Sequence, residues 1–344
     1  MNSIRGNSSD YPDYSNLFST LRRQGYHIVG KHSAVKRCKW YRESLLDNGE
    51  CYKARFYGIK SHLCMQSTPS LQFCTQSCLF CWRIMEDELE TKDGKAEKAH
   101  SRETPDSTFD WDSPETVLDG LIREQKRFAE GYKGNPKANK KKVEEAFSPK
   151  LLTLSLAGEP TIYPYLGELI ALAHKRGFLT FLVTNGTLPE RLESLKSLPT
   201  QLYVSFDASN KMMYDKTCRP AHKGLWDKYM QTLKFISSVK GKTRTVLRMT
   251  LVKGYNFEDA DGYAELIKIA QPDYVEVKSF VFVGGARNEK RGLALANMIT
   301  MDEIREFAKR LAELTDYKYT DEHIPSRVAL LCRDETAVRK RKIS

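Results

Sequence analysis

LLTLSLAGEPTIYPYLGELIALAHKRGFLTFLVTNG, residues 151–186, holds a short apolar run ending in glycine, a helical stretch, and a second run of the same form. Apolar runs of this length, bounded by turn residues, suit strands covered on both faces, and the helical stretch between them serves as a crossover. The unit recurs downstream. PERLESLKSL (189–198) follows the second run as its helix, and QLYVSFDA (201–208) precedes LWDKYMQTLKFISSV (225–239). TRTVLRMTLVKG (243–254) precedes DADGYAELIKIA (259–270), and DYVEVKSFVFVG (273–284) precedes MDEIREFAKRLAELT (301–315). With SLQF (70–73) as the first strand and SPETVLDGLIREQKRFAE (113–130) as its helix, six βα units result. Six are too few to close an eight-stranded barrel. The expected fold is therefore α/β, a partial (β/α)6 TIM-like barrel, with its site in the loops at the carboxyl ends of the strands.

Outside these units the chain changes character. Residues 87–112 and 131–149 are polar and turn-rich, the second with a lysine run from Lys140 to Lys142, and both read as exposed connections. A helix is expected around Tyr14–Arg23. The expected organisation is an N-terminal extension over 1–65, the partial barrel over 66–318 and a basic tail over 319–344. With 344 residues the chain is long enough to bury an ample core. No stretch reaches 18 apolar residues, and the N-terminus lacks the features of a secretory leader, so a soluble, cytoplasmic protein is expected. The net charge of +11 favours an acidic partner, nucleic acid above all.

Six of the eight cysteines crowd into residues 38–81, while Cys218 and Cys332 stand alone and read as structural or free. In a reducing compartment such crowding points to metal or cluster ligation. CTQSCLFC (74–81) places Cys74, Cys78 and Cys81 in one loop after the first expected strand. Structural zinc takes four protein ligands. Three thiols in one loop suit a 4Fe–4S cube with one iron left open to bind a cofactor or substrate. A zinc site completed by Cys64 or His62 is the alternative.

CTQSCLFC resembles the C-x3-C-x2-C signature of the radical S-adenosylmethionine (SAM) enzymes. That resemblance implies SAM chelated by the open iron and cleaved by one electron to a 5′-deoxyadenosyl radical. It implies that Phe80 lies against the adenine, with packing as the plain alternative. Gly158-Glu159-Pro160 is similar to the family's GGEP motif, which receives the methionine amino group; Ala157 stands where the first glycine is common. Asn185, Ser205 and Asp207, at the ends of the third and fourth strands, fall where ribose and carboxylate contacts occur in that family, and loop capping is their other reading.

Cys38, Cys51 and Cys64 form a wider set, with twelve residues between successive members. This set followed by the three-thiol loop resembles one radical SAM family, the tRNA 4-demethylwyosine synthases of wybutosine biosynthesis. SLAGEPTIYP, RMTLVKGYN (248–256) and VEVKSFVFVG (275–284) extend the resemblance, which runs from about Lys31 to about Thr315 with breaks at the two polar segments. It implies a second 4Fe–4S cluster on Cys38, Cys51 and Cys64. It also implies condensation of N1-methylguanosine at position 37 of tRNA-Phe with pyruvate, and a Schiff base between pyruvate and Lys53. Pyruvate held by the second cluster's open iron is an equal reading. Phosphate contacts are expected from Lys31–Arg42, Lys140–Lys142 and Arg339–Lys342. Trp40 and Tyr41 read either as base-stacking or as core residues. A flavodoxin-like domain, fused in some members, is not evident, so the stand-alone archaeal-type form with an external flavodoxin- or ferredoxin-type electron donor is expected. Another radical SAM enzyme with an auxiliary cluster, and a zinc-stabilised RNA-binding protein, are the competing readings.

Overall fold

A computed structural model describes residues 14–85, 88–90, 96–97, 102 and 104–343. Part of the polar stretch 87–112 and residues 1–13 lie outside the described residues. Ten strands form one sheet: β1 Tyr26–Val29, β2 Ser33–Lys36, β3 Cys64–Thr68, β4 Leu151–Leu154, β5 Leu179–Thr184, β6 Gln201–Ser205, β7 Arg244–Arg248, β8 Tyr274–Lys278, β9 Lys318–His323 and β10 Val328–Cys332. β3 to β8 run parallel in sequence order. The β1–β2 hairpin adds antiparallel at one edge and β10–β9 at the other, so the barrel stays open. The segments set apart in the sequence, 1–65 and 319–344, thus both supply strands to the same sheet.

Six parallel strands agree with the sequence reading, but the first of them lies six residues earlier than SLQF. Pro69 has no N–H to donate and ends β3. Ser70–Phe73 then forms a turn in which Phe73 N donates to Ser70 O at 3.1 Å and Leu71 N donates to His32 O at 2.7 Å. Along β3, Met65 is buried in the outer core, while Cys64 and Gln66 face the barrel interior.

The outer face is covered by amphipathic helices. Pro114–Glu130 and Leu166–Lys175 bring Leu118, Leu121, Leu169 and Ile170 onto Leu152, Leu154 and Leu182. Leu225–Ser238, Ala260–Ala270 and Met301–Thr315 cover the other half, with Leu233, Ile267 and Ile304 packed on Leu247, Val275 and Val277. Among the described residues no helix is long and apolar enough to cross a membrane.

The interior is filled from one end only. Helix Tyr52–Tyr57 begins at Cys51, stops at Gly58 in the left-handed conformation (φ +79°), and lies inside the barrel. Its Tyr52, Phe56 and Tyr57 pack against Phe181, Tyr203, Val246 and Tyr274 from the inner faces of four strands. The chain's end closes the same side. Ile343 N donates to Tyr57 O at 2.7 Å, and the Arg244 guanidinium donates to the carbonyls of Lys340 and Arg341 at 2.6 and 2.5 Å. The carboxyl end of the strands is left open.

Candidate active site

At that open end lies a cavity of about 650 Å³, and all six clustered cysteines line it. The three-thiol loop is fastened to the end of β4 by a close backbone approach. Gly158 has φ +68°, and a Cβ there would meet Ser70 O at 1.8 Å and Phe73 O at 2.8 Å, so only glycine fits. Glu159 N donates to Phe73 O and Ser70 Oγ to Glu159 O, both at 2.7 Å. Asn185 Nδ2 reaches Thr75 Oγ1 at 3.0 Å and Cys74 Sγ at 3.7 Å, while Cys78 Sγ donates to Gln76 Oε1 at 3.2 Å.

Burial pushes the Cys74 thiol up to about 11, opposed by the nearby Arg83 guanidinium. Arg83 is itself buried, donates to Gln76 O at 3.0 Å, and feels all three thiols of the loop. It supplies positive charge where three thiolates would gather. Downstream, the guanidinium of Arg291 donates to the carbonyls of Cys81 and Arg83 and pairs with buried Glu88 at 2.6 Å. The exit of the cysteine loop is thereby locked in place.

The residues expected to meet SAM lie along the same wall. Glu159 is buried. Its Oε1 accepts from Thr161 N, Thr161 Oγ1 and Thr184 Oγ1 at 3.1, 2.7 and 2.6 Å, and its Oε2 accepts only from Asn185 N at 2.7 Å. Oε2 therefore keeps acceptor capacity toward the cavity. Asn185 also caps its own turn, its Oδ1 accepting from Thr187 N and Oγ1 at 3.1 and 2.7 Å. Asp207 is buried and lines the cavity, with Oδ1 accepting from Thr250 N at 2.7 Å. Burial raises it to about 7 against the pull of Arg248. Ser205 and Phe80 line the cavity as well; Pro160 is buried behind it in the turn that follows Glu159.

The wider cysteine set gathers at the other side. Cys38 and Cys51 each sit at a helix N-terminus, Cys38 Sγ accepting from Tyr41 N at 3.3 Å, and Cys64 Sγ meets Thr153 Oγ1 at 3.2 Å. Burial raises Cys38 to about 11, with the charge of Cys64 adding to it, and raises Cys51 to about 12, with the charges of Cys38 and Cys64 adding and that of Lys53 opposing. Lys53 lies among them, buried, with Nζ 4.7 Å from the Tyr203 ring centre and 5.3 Å from that of Phe181. Burial first, and the charge of Arg248 second, lower its pKa.

A single tetrahedral zinc would draw its thiolates to within about 4 Å of one another. Among the described residues no three His, Cys, Asp or Glu side chains are grouped for a single ion. His62, the alternative fourth ligand, is spent elsewhere: Nε2 meets Glu145 at 2.8 Å and Nδ1 meets Ser44 Oγ at 3.1 Å. Two sets of three thiols, each around its own part of a roomy cavity, fit the larger iron–sulfur group better.

Several residues of the site were not singled out in the sequence; three of them, Arg248, Glu276 and Lys278, fall within the stretches RMTLVKGYN and VEVKSFVFVG that extend the family resemblance. Arg83, Arg248, Glu276, Lys278 and Arg291 were missed in the sequence, although a charged residue within an apolar strand run, as in TVLRMT and YVEVK, is a signal that it faces a polar interior. Of the aromatics, Tyr41 is in the core and Trp40 lines the cavity. The basic residues divide too. Lys36, Arg37 and Lys39 line the cavity, Lys142 is paired with Asp47 and Glu50 at 3.0 Å each, and Arg341 pairs with Asp321 at 2.9 Å at the closed end. Cys218 is buried beside Cys78, and Cys332 lies in the interior packing.

The Radical SAM superfamily profile matches residues 68–267, and a profile for wyosine base formation matches residues 269–333. An S-adenosyl-L-methionine-dependent tRNA 4-demethylwyosine synthase of Pyrococcus abyssi is 45% identical over 336 residues, 96% of this chain and 92% of that protein. Its counterpart in Methanocaldococcus jannaschii is 40% identical over 92% of this chain and 95% of its own length. A solved structure of TYW1 with a lysine-pyruvate adduct bound superposes with a TM-score of 0.80 at 38% identity, covering 97% of this chain and 99% of the other.

Proposed function

The chain belongs to the radical SAM tRNA 4-demethylwyosine synthases, and on that premise we propose that it condenses N1-methylguanosine at position 37 of tRNA-Phe with pyruvate to form the tricyclic 4-demethylwyosine. One observation carries the reading: two sets of three thiols, the glycine and glutamate of the strand-end motif and a buried lysine all line one cavity. Cys74, Cys78 and Cys81 would hold a 4Fe–4S cluster whose open iron takes SAM, with Phe80, Gly158, Glu159, Pro160, Asn185, Ser205 and Asp207 along its path. Cys38, Cys51 and Cys64 would hold the second. When bound, the first cluster and SAM would supply a 5′-deoxyadenosyl radical, the electron coming from an external donor of flavodoxin or ferredoxin type.

The chain's own residues do the rest. Arg83 offsets the charge of the thiolates that it faces. Burial and the charge of Arg248 lower the pKa of Lys53, a shift that favours attack of its amine on the keto carbon of pyruvate with loss of water. Lys36, Arg37 and Lys39 stand at the cavity beside Trp40, and exposed Val281 and Val283 border it. These cations suit the anticodon-loop phosphates, and Trp40 suits stacking against a base turned out of the loop.

The test is product analysis by mass spectrometry after anaerobic reaction of reconstituted enzyme with SAM, a reductant, pyruvate and tRNA bearing N1-methylguanosine. The tricyclic base should form only with both pyruvate and the methylated tRNA. SAM cleavage without any tricyclic base under those conditions would overturn the proposal.

A further inference from the structure

Arg248 is a guanidinium with nothing to hold. It lines the cavity from the end of β7, largely enclosed, and among the described residues its side chain makes no hydrogen bond and no ion pair. Its field reaches Glu276 and Asp207, yet neither pairs with it: Glu276 Oε1 accepts from Tyr57 OH at 2.8 Å while its Oε2 is buried with no hydrogen-bond partner among the described residues, and Asp207 Oδ1 accepts from Thr250 N. An enclosed cation whose five N–H donors are unspent is costly unless an anion arrives to take them.

Two further ammonium groups are similarly placed. Lys278 lines the cavity two residues beyond Glu276 on β8, and Nζ spends one donor on Ser279 O at 2.9 Å. Lys53 Nζ lies over the faces of Tyr203 and Phe181 and, among the described residues, makes no hydrogen bond. The strand register ties them together: Arg248 is paired with Glu276 on one side and with Ser205 on the other. Three cations thus surround Glu276, with Asp207 also in the field of Arg248, at the end of the cavity where the lumen helix presents Lys53.

We propose that Arg248, assisted by Lys278, is the carboxylate clamp of the keto-acid subsite, holding the acid group of the α-keto acid whose carbonyl carbon is joined to Lys53. This rests on the lysine adduct proposed above. The planar fork of a guanidinium donates to both carboxylate oxygens at once, and lysine does so less well. An acid group one bond from the imine carbon stays near Nζ, within the same cluster of charges. The clamp selects α-keto acids over neutral ketones and fixes which face of the imine is turned toward the rest of the cavity.

The experiment is reductive trapping on the reconstituted enzyme. Amine attack expels water to give the imine, borohydride delivers hydride to its carbon, and the label at Lys53 is read by peptide mass spectrometry. Pyruvate is compared with methyl pyruvate, a more electrophilic ketone without the negative charge. Wild type is expected to reach half-labelling at a pyruvate concentration at least about tenfold below that of the ester, the usual scale for one charge-assisted bidentate contact. Arg248→Gln should raise the pyruvate value by about tenfold or more and leave the ester within about twofold, with Arg248→Lys between. Equal labelling of wild type by acid and ester would overturn the clamp, and so would unchanged pyruvate labelling in Arg248→Gln. The wild-type comparison needs no variant, so misfolding of Arg248→Gln does not blunt it. No label at Lys53 from either compound would instead overturn the lysine adduct, and the clamp with it.

Discussion

Replacing Gly158 by alanine tests the joint between the cysteine loop and the strand-end motif. Gly158 sits at φ +68°, where an L-residue costs about 1–2 kcal/mol. The new Cβ would also stand 1.8 Å from Ser70 O and 2.8 Å from Phe73 O. Both are backbone atoms, so no rotamer change relieves the overlap, and the overpacking adds about 1–3 kcal/mol. The displaced segment carries the hydrogen bonds of Glu159 N to Phe73 O and Ser70 Oγ to Glu159 O. A loss of about 2–5 kcal/mol follows, concentrated where Cys74 begins its loop. Denaturant unfolding of the metal-free protein gives the stability change, and iron analysis after reconstitution gives the consequence for ligation. Iron on Cys74, Cys78 and Cys81 should be lost or labile while that on the wider set is retained. A variant within about 0.5 kcal/mol of wild type and with full iron would refute the close approach.

Arg291→Ala should destabilise the protein by about 3–5 kcal/mol in the same unfolding assay, because it strands Glu88 as a buried unpaired carboxylate and frees the carbonyls of Cys81 and Arg83; Arg291→Ala combined with Glu88→Ala should recover part of that loss. Lys53→Ala should bind tRNA in a filter assay yet make no tricyclic base, and product at the wild-type rate would end its role as nucleophile. Glu322, held by Arg305 at 2.7 Å and Tyr319 at 2.6 Å, is lowered from 4.5 to about 2. A carboxylate depressed on folding contributes stability above its unfolded value and loses it as pH falls through its folded one. The melting-temperature gap between wild type and Glu322→Gln should therefore be full at pH 7 and close between about pH 4.5 and about pH 2; a gap unchanged at pH 2 would contradict the assignment.

What the sequence made legible follows from which faces of each element are covered. β4 to β8 are buried on both sides and read as apolar runs, so the βα rhythm was visible at once. β3, CMQST, was missed because Cys64 and Gln66 face a polar cavity and break the run, while the more apolar SLQF beside it forms only a turn. VALLC is as apolar as any strand, but KYTDEH, its partner, has no fully buried residue and hides among charges. Cys74, Cys78 and Cys81 stood out from spacing because they share one loop, whereas Cys38, Cys51 and Cys64, twelve residues apart, were read as a set through the family resemblance. Arg83, Arg248 and Lys278 were not legible. Each acquires its meaning from neighbours on strands far away in the chain, and a lone cation in a sequence looks like any exposed one.

The measurement that tests the account most directly is iron and acid-labile sulfide per chain after anaerobic reconstitution, for wild type and for the Cys38→Ala, Cys51→Ala, Cys64→Ala triple variant. Two separate cubane sites predict about eight irons falling to about four, with SAM cleavage surviving in the variant. About four irons in both proteins would contradict a second cluster, and zinc in place of iron would contradict the account as a whole.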